Sequence, residues 1–124
     1  MRIKLISAAA LTVAAAGALA TSAHAETVTD CRAVIVDLRD DTATATSLGR
    51  SGPGLVRKVD EAVAKLDENK LSDTRQKLTD YESALDALFF TAKPKVSEGD
   101  FAELSTDVDA AIACIDAVGA SADA

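Results

Sequence analysis

"LSDTRQKLTDYESALDALFF", residues 71–90, decides the fold. Leu78, Tyr81, Leu85, Leu88 and Phe89, with Ala92 beyond, recur in steps of three and four, so they stack as one stripe on a helix turning ~100° per residue. Between them stand Lys77, Asp80, Glu82, Ser83 and Asp86, which suit a face turned to water. Ser72 is the expected N-cap. Lys93-Pro94-Lys95 is the expected stop, because proline lacks an N–H and restrains the residue before it. Phe90 falls off the stripe, ~150° from its centre.

The same periodicity extends to both sides. Before this stretch, Leu55, Val56, Val59, Val63 and Leu66 outline a helix with Pro53 in its first turn and an i,i+4 pair, Glu61–Lys65, on its outer face. "DENKLSD" (67–73) connects the two. Earlier still, Val28, Cys31, Val34, Ile35 and Leu38 predict a helix starting after Thr29 or Asp30. Its end is open, since the threonines of "TATATS" (42–47) are weak helix formers without being a stop. The break is expected in "SLGRSGPG" (47–54), read as a loop. After residues 71–90, Ser97 and Asp100 resemble a capping box with Asp in place of Glu. Phe101, Leu104, Val108, Ala111, Ile112, Ile115 and Val118 then form a fourth stripe, and "GASADA" (119–124) reads as a flexible tail. No segment alternates with a period of two for long, so the class is all-α.

The start of the chain predicts its compartment. Arg2 and Lys4 precede an apolar run from Leu5 to Ala20, and Ala23-His24-Ala25 supplies the small residues of a leader-peptidase site. Residues 1–25 are therefore expected to be a cleaved signal peptide, the run being shorter than the ~20 residues of a membrane span. Residues 26–119 then form one helical domain, with 120–124 as its tail. Loss of Arg2 and Lys4 takes the formal charge from −7 to −9, and the mature chain keeps no His, Met or Trp. Such acidity argues against nucleic acid, whose phosphates need Lys and Arg. No membrane span is expected after cleavage.

Two cysteines remain, Cys31 and Cys114. A metal site needs further Cys or His at short spacing, and a catalytic thiol needs a base to hold it as thiolate. Neither companion is present, which leaves a disulfide in an oxidising compartment. In an up-down-up-down four-helix bundle with short loops, the start of the first helix and the end of the last lie together, so one bridge closes the bundle.

The stretch from Gly54 to Cys114 resembles the FIMAH-type domain of secreted bacterial, including actinobacterial, proteins. The resemblance is carried by Gly54 and Leu55; by Lys58, Val59, Asp60 and Ala62; by Lys77, Leu78, Asp80 and Tyr81; and by Ala111, Ile112 and Cys114. Phe101-Ala102-Glu103-Leu104 is shifted by one position from the family's Ala-x-x-Leu, and "FFTAKPKVSEGD" (89–100) departs from its short turn. The resemblance implies a non-catalytic accessory module of the cell envelope or exterior, with no catalytic residues to carry over.

Sites for chemistry are sparse. Asp37, Asp40 and Asp41, Asp60 and Glu61, and Asp107 and Asp109 are expected to be solvated charges opposite the apolar stripes. "DENKLSD" fails as a calcium loop, because Leu71, Ser72 and Leu78 stand where a ligand, the turn glycine and the bidentate Glu belong. No Ser-His-Asp set exists without histidine, and no enzyme and no cofactor is expected. Haem or another apolar ligand held between helices is the alternative, with Tyr81 as the one axial candidate, although its place on the stripe favours packing with the hydroxyl at the rim. Phe90, Lys93 and Lys95 make the one basic, aromatic spot on an acidic chain, a candidate contact for an unknown protein or envelope partner.

Overall fold

A computed structural model describes residues 27–123. The expected leader lies outside the described residues. Helix α1 spans Val28–Thr44 and starts earlier than expected. Thr27, not Thr29 or Asp30, is its N-cap: the Asp30 N–H donates to Thr27 Oγ1 at 3.0 Å, and the Thr27 N–H donates to the Asp30 carboxylate at 3.1 Å. This reciprocal box satisfies two donors that the first turn otherwise leaves orphaned. The helix runs on into the threonine-rich stretch because its hydroxyls bond back one turn. Thr42 Oγ1 donates to the Leu38 carbonyl at 2.7 Å, and Thr44 Oγ1 to that of Asp40 at 3.1 Å.

Thr46–Ser51, expected as loop, is a short 3₁₀ segment. Ala45 and Leu48 are buried there and cover one end of the core. At Gly49 the backbone takes φ 52°, ψ −122°, which a side chain would strain, and the chain turns into α2, Gly52–Asp67. Pro53 occupies the first turn of α2 as expected. Its buried face is Leu55, Val59, Ala62 and Leu66, with Val56 and Val63 only half-buried beside it.

Helix α3 spans Leu71–Phe89. Ser72 is not its cap. Asn69 takes a left-handed turn (φ 62°), which Asn tolerates, so Lys70 already flanks the helix and Ser72 sits exposed inside its first turn. Thr74 is the buried hydroxyl there, donating to the Lys70 carbonyl at 2.8 Å. Leu78, Tyr81 and Leu85 are fully buried, while Ala92 lies beyond the helix and is exposed. Helix α4 spans Glu98–Asp123 and passes through Gly119, so helix continues where a tail is expected. The surrounding alanines, the best helix formers, outweigh one glycine. Leu104, Val108, Ala111, Ile115 and Val118 are its buried stripe.

The result is an all-helical bundle among the described residues, with one core. Helix α1 packs on α2 and α4, and α3 packs on the same two. Arg32 pairs with Asp67 and Arg39 with Asp60 across α1 and α2, while Arg75 pairs with Asp116 across α3 and α4. Cys31 and Cys114 form a disulfide between α1 and α4 across a sequence separation of 83. No helix among the described residues is long and apolar enough to cross a membrane.

Tyr81 is the largest fully buried side chain, in a core otherwise of Leu, Val, Ile, Ala and the disulfide. A core this light on aromatics leaves a large share of stability to the covalent link, worth about 4.5 kcal/mol in the chain-entropy account. The Cys31→Ala/Cys114→Ala variant should melt lower by roughly 20 °C. Calorimetry checks this, and a loss of only a few degrees would contradict it.

Candidate functional site

One end of the bundle gathers the 3₁₀ segment, the start of α2, the end of α3 and the start of α4. Ser47 builds the junction. Its hydroxyl accepts the Ser97 N–H at 2.9 Å and donates to the Asp100 carboxylate at 2.5 Å. The expected capping box at Ser97 is thus half present. Ser97 Oγ accepts the Asp100 N–H at 3.1 Å, but the Asp100 carboxylate turns to Ser47 instead of returning to the Ser97 backbone.

The loop from α3 to α4 is braced here. The Lys95 N–H donates to the Leu88 carbonyl at 2.8 Å, and Val96 is buried. The helix ends at Phe89, whose ring stacks on Phe101 with centroids 4.1 Å apart. Phe90 meets both rings edge-on, at 5.0 and 5.4 Å, yet 70% of it is exposed. It is the exposed large hydrophobic side chain among the described residues. Lys93 and Lys95 stand exposed on the same loop, so the three candidate contact residues share one short segment.

Three further cations belong to this end. Arg57 and Lys58 line a groove of about 460 Å³ between α2 and α3, together with Leu55, Ala84, Leu88 and the carboxylate of Glu61, and Arg50 is exposed on the 3₁₀ segment. The sequence reading missed them, although a signal exists. Residues 42–59 and 87–97 contain no Asp or Glu in an otherwise acidic chain. A larger groove, of about 610 Å³, runs along the C-terminal end of α1, the 3₁₀ segment and α2, lined by Ala43, Ala45, Pro53, Val56 and Arg57 among others.

The carboxylates divide into two kinds. Those paired with arginine lie on the surface, as expected. Asp107 does not: it is half-buried against α1, and its Oδ2 is fully buried without a hydrogen-bond partner among the described residues. Burial pushes its carboxyl up to about 7, helped by a hydrogen bond with Asp41 and by the charges of Asp41, Glu103 and Asp37. Two ionised carboxylates are acceptors only, so Asp41 and Asp107 can bond only through a shared proton. A second pair spans α3 and α4, where the neighbouring Asp109, by hydrogen bond and then charge, holds Glu82 above the usual range together with partial burial. Neither of the two larger grooves is lined by Asp41 or Asp107.

Tyr81 also departs from expectation. Its hydroxyl is not at the rim but fully buried, 2.7 Å from Thr42 Oγ1. Because Thr42 gives its proton to the Leu38 carbonyl, Tyr81 donates to Thr42. Burial pushes the phenol up to about 12. An axial role for Tyr81 on haem would require unpacking the core. Among the described residues no cluster of three Asp, Glu, Cys or His is placed to hold a metal ion.

Asp107 generates a pH prediction. Its folded carboxyl titrates near 7 against an ordinary 3.8, so between these values the folded state holds a proton that the unfolded state releases. Stability must then fall as pH rises through that window. The melting temperature should drop from pH 5 to pH 8, and Asp107→Asn should raise it at pH 8 and flatten the profile. A parent profile that rises over this range would contradict the assignment. No protein-family model matches the chain, and no curated protein or solved structure is significantly similar to it.

Proposed function

We propose that the chain is a secreted, non-enzymatic interaction module: an up-down-up-down four-helix bundle, closed by its disulfide, that docks a partner through Phe90, Lys93 and Lys95. The reversed order of pairings supports the topology. Arg32 and Arg39 meet Asp67 and then Asp60, and Arg75 and Phe89 meet Asp116 and then Phe101. The leader-like start and a disulfide suit export. The FIMAH-type resemblance suits an accessory role at the envelope or outside it.

The observation that carries the docking role is the exposure of Phe90 on a braced loop. A single exposed Phe is ordinary. This one is held by two aromatic edges, and a pre-ordered aromatic costs little further entropy on binding. The larger groove favours a second reading, a carrier of a small apolar molecule held along α1 and α2. Its lining includes no residue of the 90–95 loop, so the two readings separate by mutation.

Phe90→Ala should change stability by no more than about 0.5 kcal/mol, measured by denaturant unfolding, because the ring is solvated. A cost of ~3 kcal/mol would place it in the core instead. A photo-crosslinking side chain at position 90, in protein secreted by its own cells, should yield one defined adduct. The same group at exposed Ala33 on α1 should yield none. Equal labelling from both positions, or none from 90, would overturn the docking role.

A further inference from the structure

Pairing of the cations is uneven. Arg32, Arg39, Lys70, Arg75 and Lys77 each reach a carboxylate, at 2.6 to 3.6 Å. Arg50, Arg57, Lys58, Lys65, Lys93 and Lys95 make no ion pair among the described residues. On a chain with 20 acidic residues against 13 basic ones, an unpaired cation runs against the odds. All but Lys65 gather at the end that carries Phe90. Of the acids nearest them, Asp60 is paired with Arg39 and Glu61 with Lys77, whereas Asp100 is held by the neutral Ser47 hydroxyl and keeps its charge. Asp86 and Glu98, which bound the acid-free stretch 87–97, and Asp100 are the carboxylates left against these five cations.

Resting on the docking reading above, we propose that this end binds an acidic peptide segment carrying an aromatic or aliphatic residue. The carboxylates face Lys93, Lys95, Arg50, Arg57 and Lys58, and the apolar residue packs on Phe90 or enters the groove of Leu55, Ala84 and Leu88. A peptide is small enough to feel the local positive field, which salt screens within ~8 Å, rather than the net negative charge of the whole molecule. An anionic membrane is an extended surface and meets that net charge. A lone Phe also lacks the apolar face that interfacial binding requires.

The test uses the oxidised mature chain, residues 26–124, with a glutamate–tyrosine random copolymer as probe. Polyglutamate, polylysine and mixed phosphatidylcholine–phosphatidylglycerol vesicles are the comparison ligands. The copolymer should bind, more tightly than polyglutamate, and weaken as salt rises. Phe90→Ala and Lys93→Glu/Lys95→Glu should each weaken it about tenfold with the melting temperature retained, as expected of anchor residues. Lys65→Glu, the same substitution at one unpaired cation outside this end and half the charge change of the double variant, should have no effect. Absence of copolymer binding would overturn the proposal. So would a Lys65→Glu loss of about threefold or more, half the logarithmic loss of the double variant, which means net charge alone, or tighter binding to the vesicles, which means a lipid occupant. An adduct from position 90 without copolymer binding defeats this inference and leaves the docking role standing, whereas failure of both defeats both.

Discussion

The bond between Cys31 and Cys114 sets the register of α1 against α4, and much of the molecule's detail depends on that register. With the two helices tied near the start of α1 and about two-thirds of the way along α4, Asp107 comes to lie beside Asp41. At the far end of the same seam, Ser47 meets Ser97 and Asp100. A slip of one residue would turn Asp107 outward and break the Ser47 junction. The covalent link removes such alternatives in a core whose one buried aromatic is Tyr81. Tyr81 adds a directional constraint, since its hydroxyl has a single acceptor, Thr42, and a shift of α1 would orphan it at a cost of ~1–3 kcal/mol.

The two ends of the fold differ in character. Surface ion pairs such as Arg39–Asp60 and Arg75–Asp116 decorate the helix sides and contribute little each. Their structural effect is to occupy carboxylates, which leaves the end around Phe90 with cations that make no ion pair among the described residues. The loop carrying Phe90 is pinned by buried Val96 and by the Lys95–Leu88 hydrogen bond. The aromatic ridge and the cations around it are the features on which the proposed acidic, apolar-tipped ligand would rely. The Asp41–Asp107 pair belongs to the opposite logic. It is a liability at neutral pH, relieved by one proton, and faces neither of the larger grooves.

The helices were legible because their stripes repeat: Leu78, Tyr81 and Leu85, or Leu104, Val108, Ala111 and Ile115, announce their period and their burial together. The disulfide was legible by elimination. What escaped the sequence were features made by distant partners. Thr42 reads as a poor helix former until Tyr81 supplies its buried donor. Leu48 and Val96 read as loop residues until the open end of the core that they share needs covering. Asp107 reads as a solvated charge because the helix face it occupies is set by contact with α1, not by its own spacing. Of the candidate site, Phe90, Lys93 and Lys95 were visible as a local cluster. Arg50, Arg57 and Lys58 were not, because only folding brings residues 50–58 beside residues 88–97.

The central claim, that one end of this bundle is a built docking surface, is tested most directly by mapping amide chemical shifts of the ¹⁵N-labelled, oxidised protein as the acidic copolymer is titrated in. Saturable changes confined to residues 50–58 and 88–98 are expected. Changes centred instead on the middle of α1 and α4, or spread evenly over every exposed cation including Lys65, would contradict that claim.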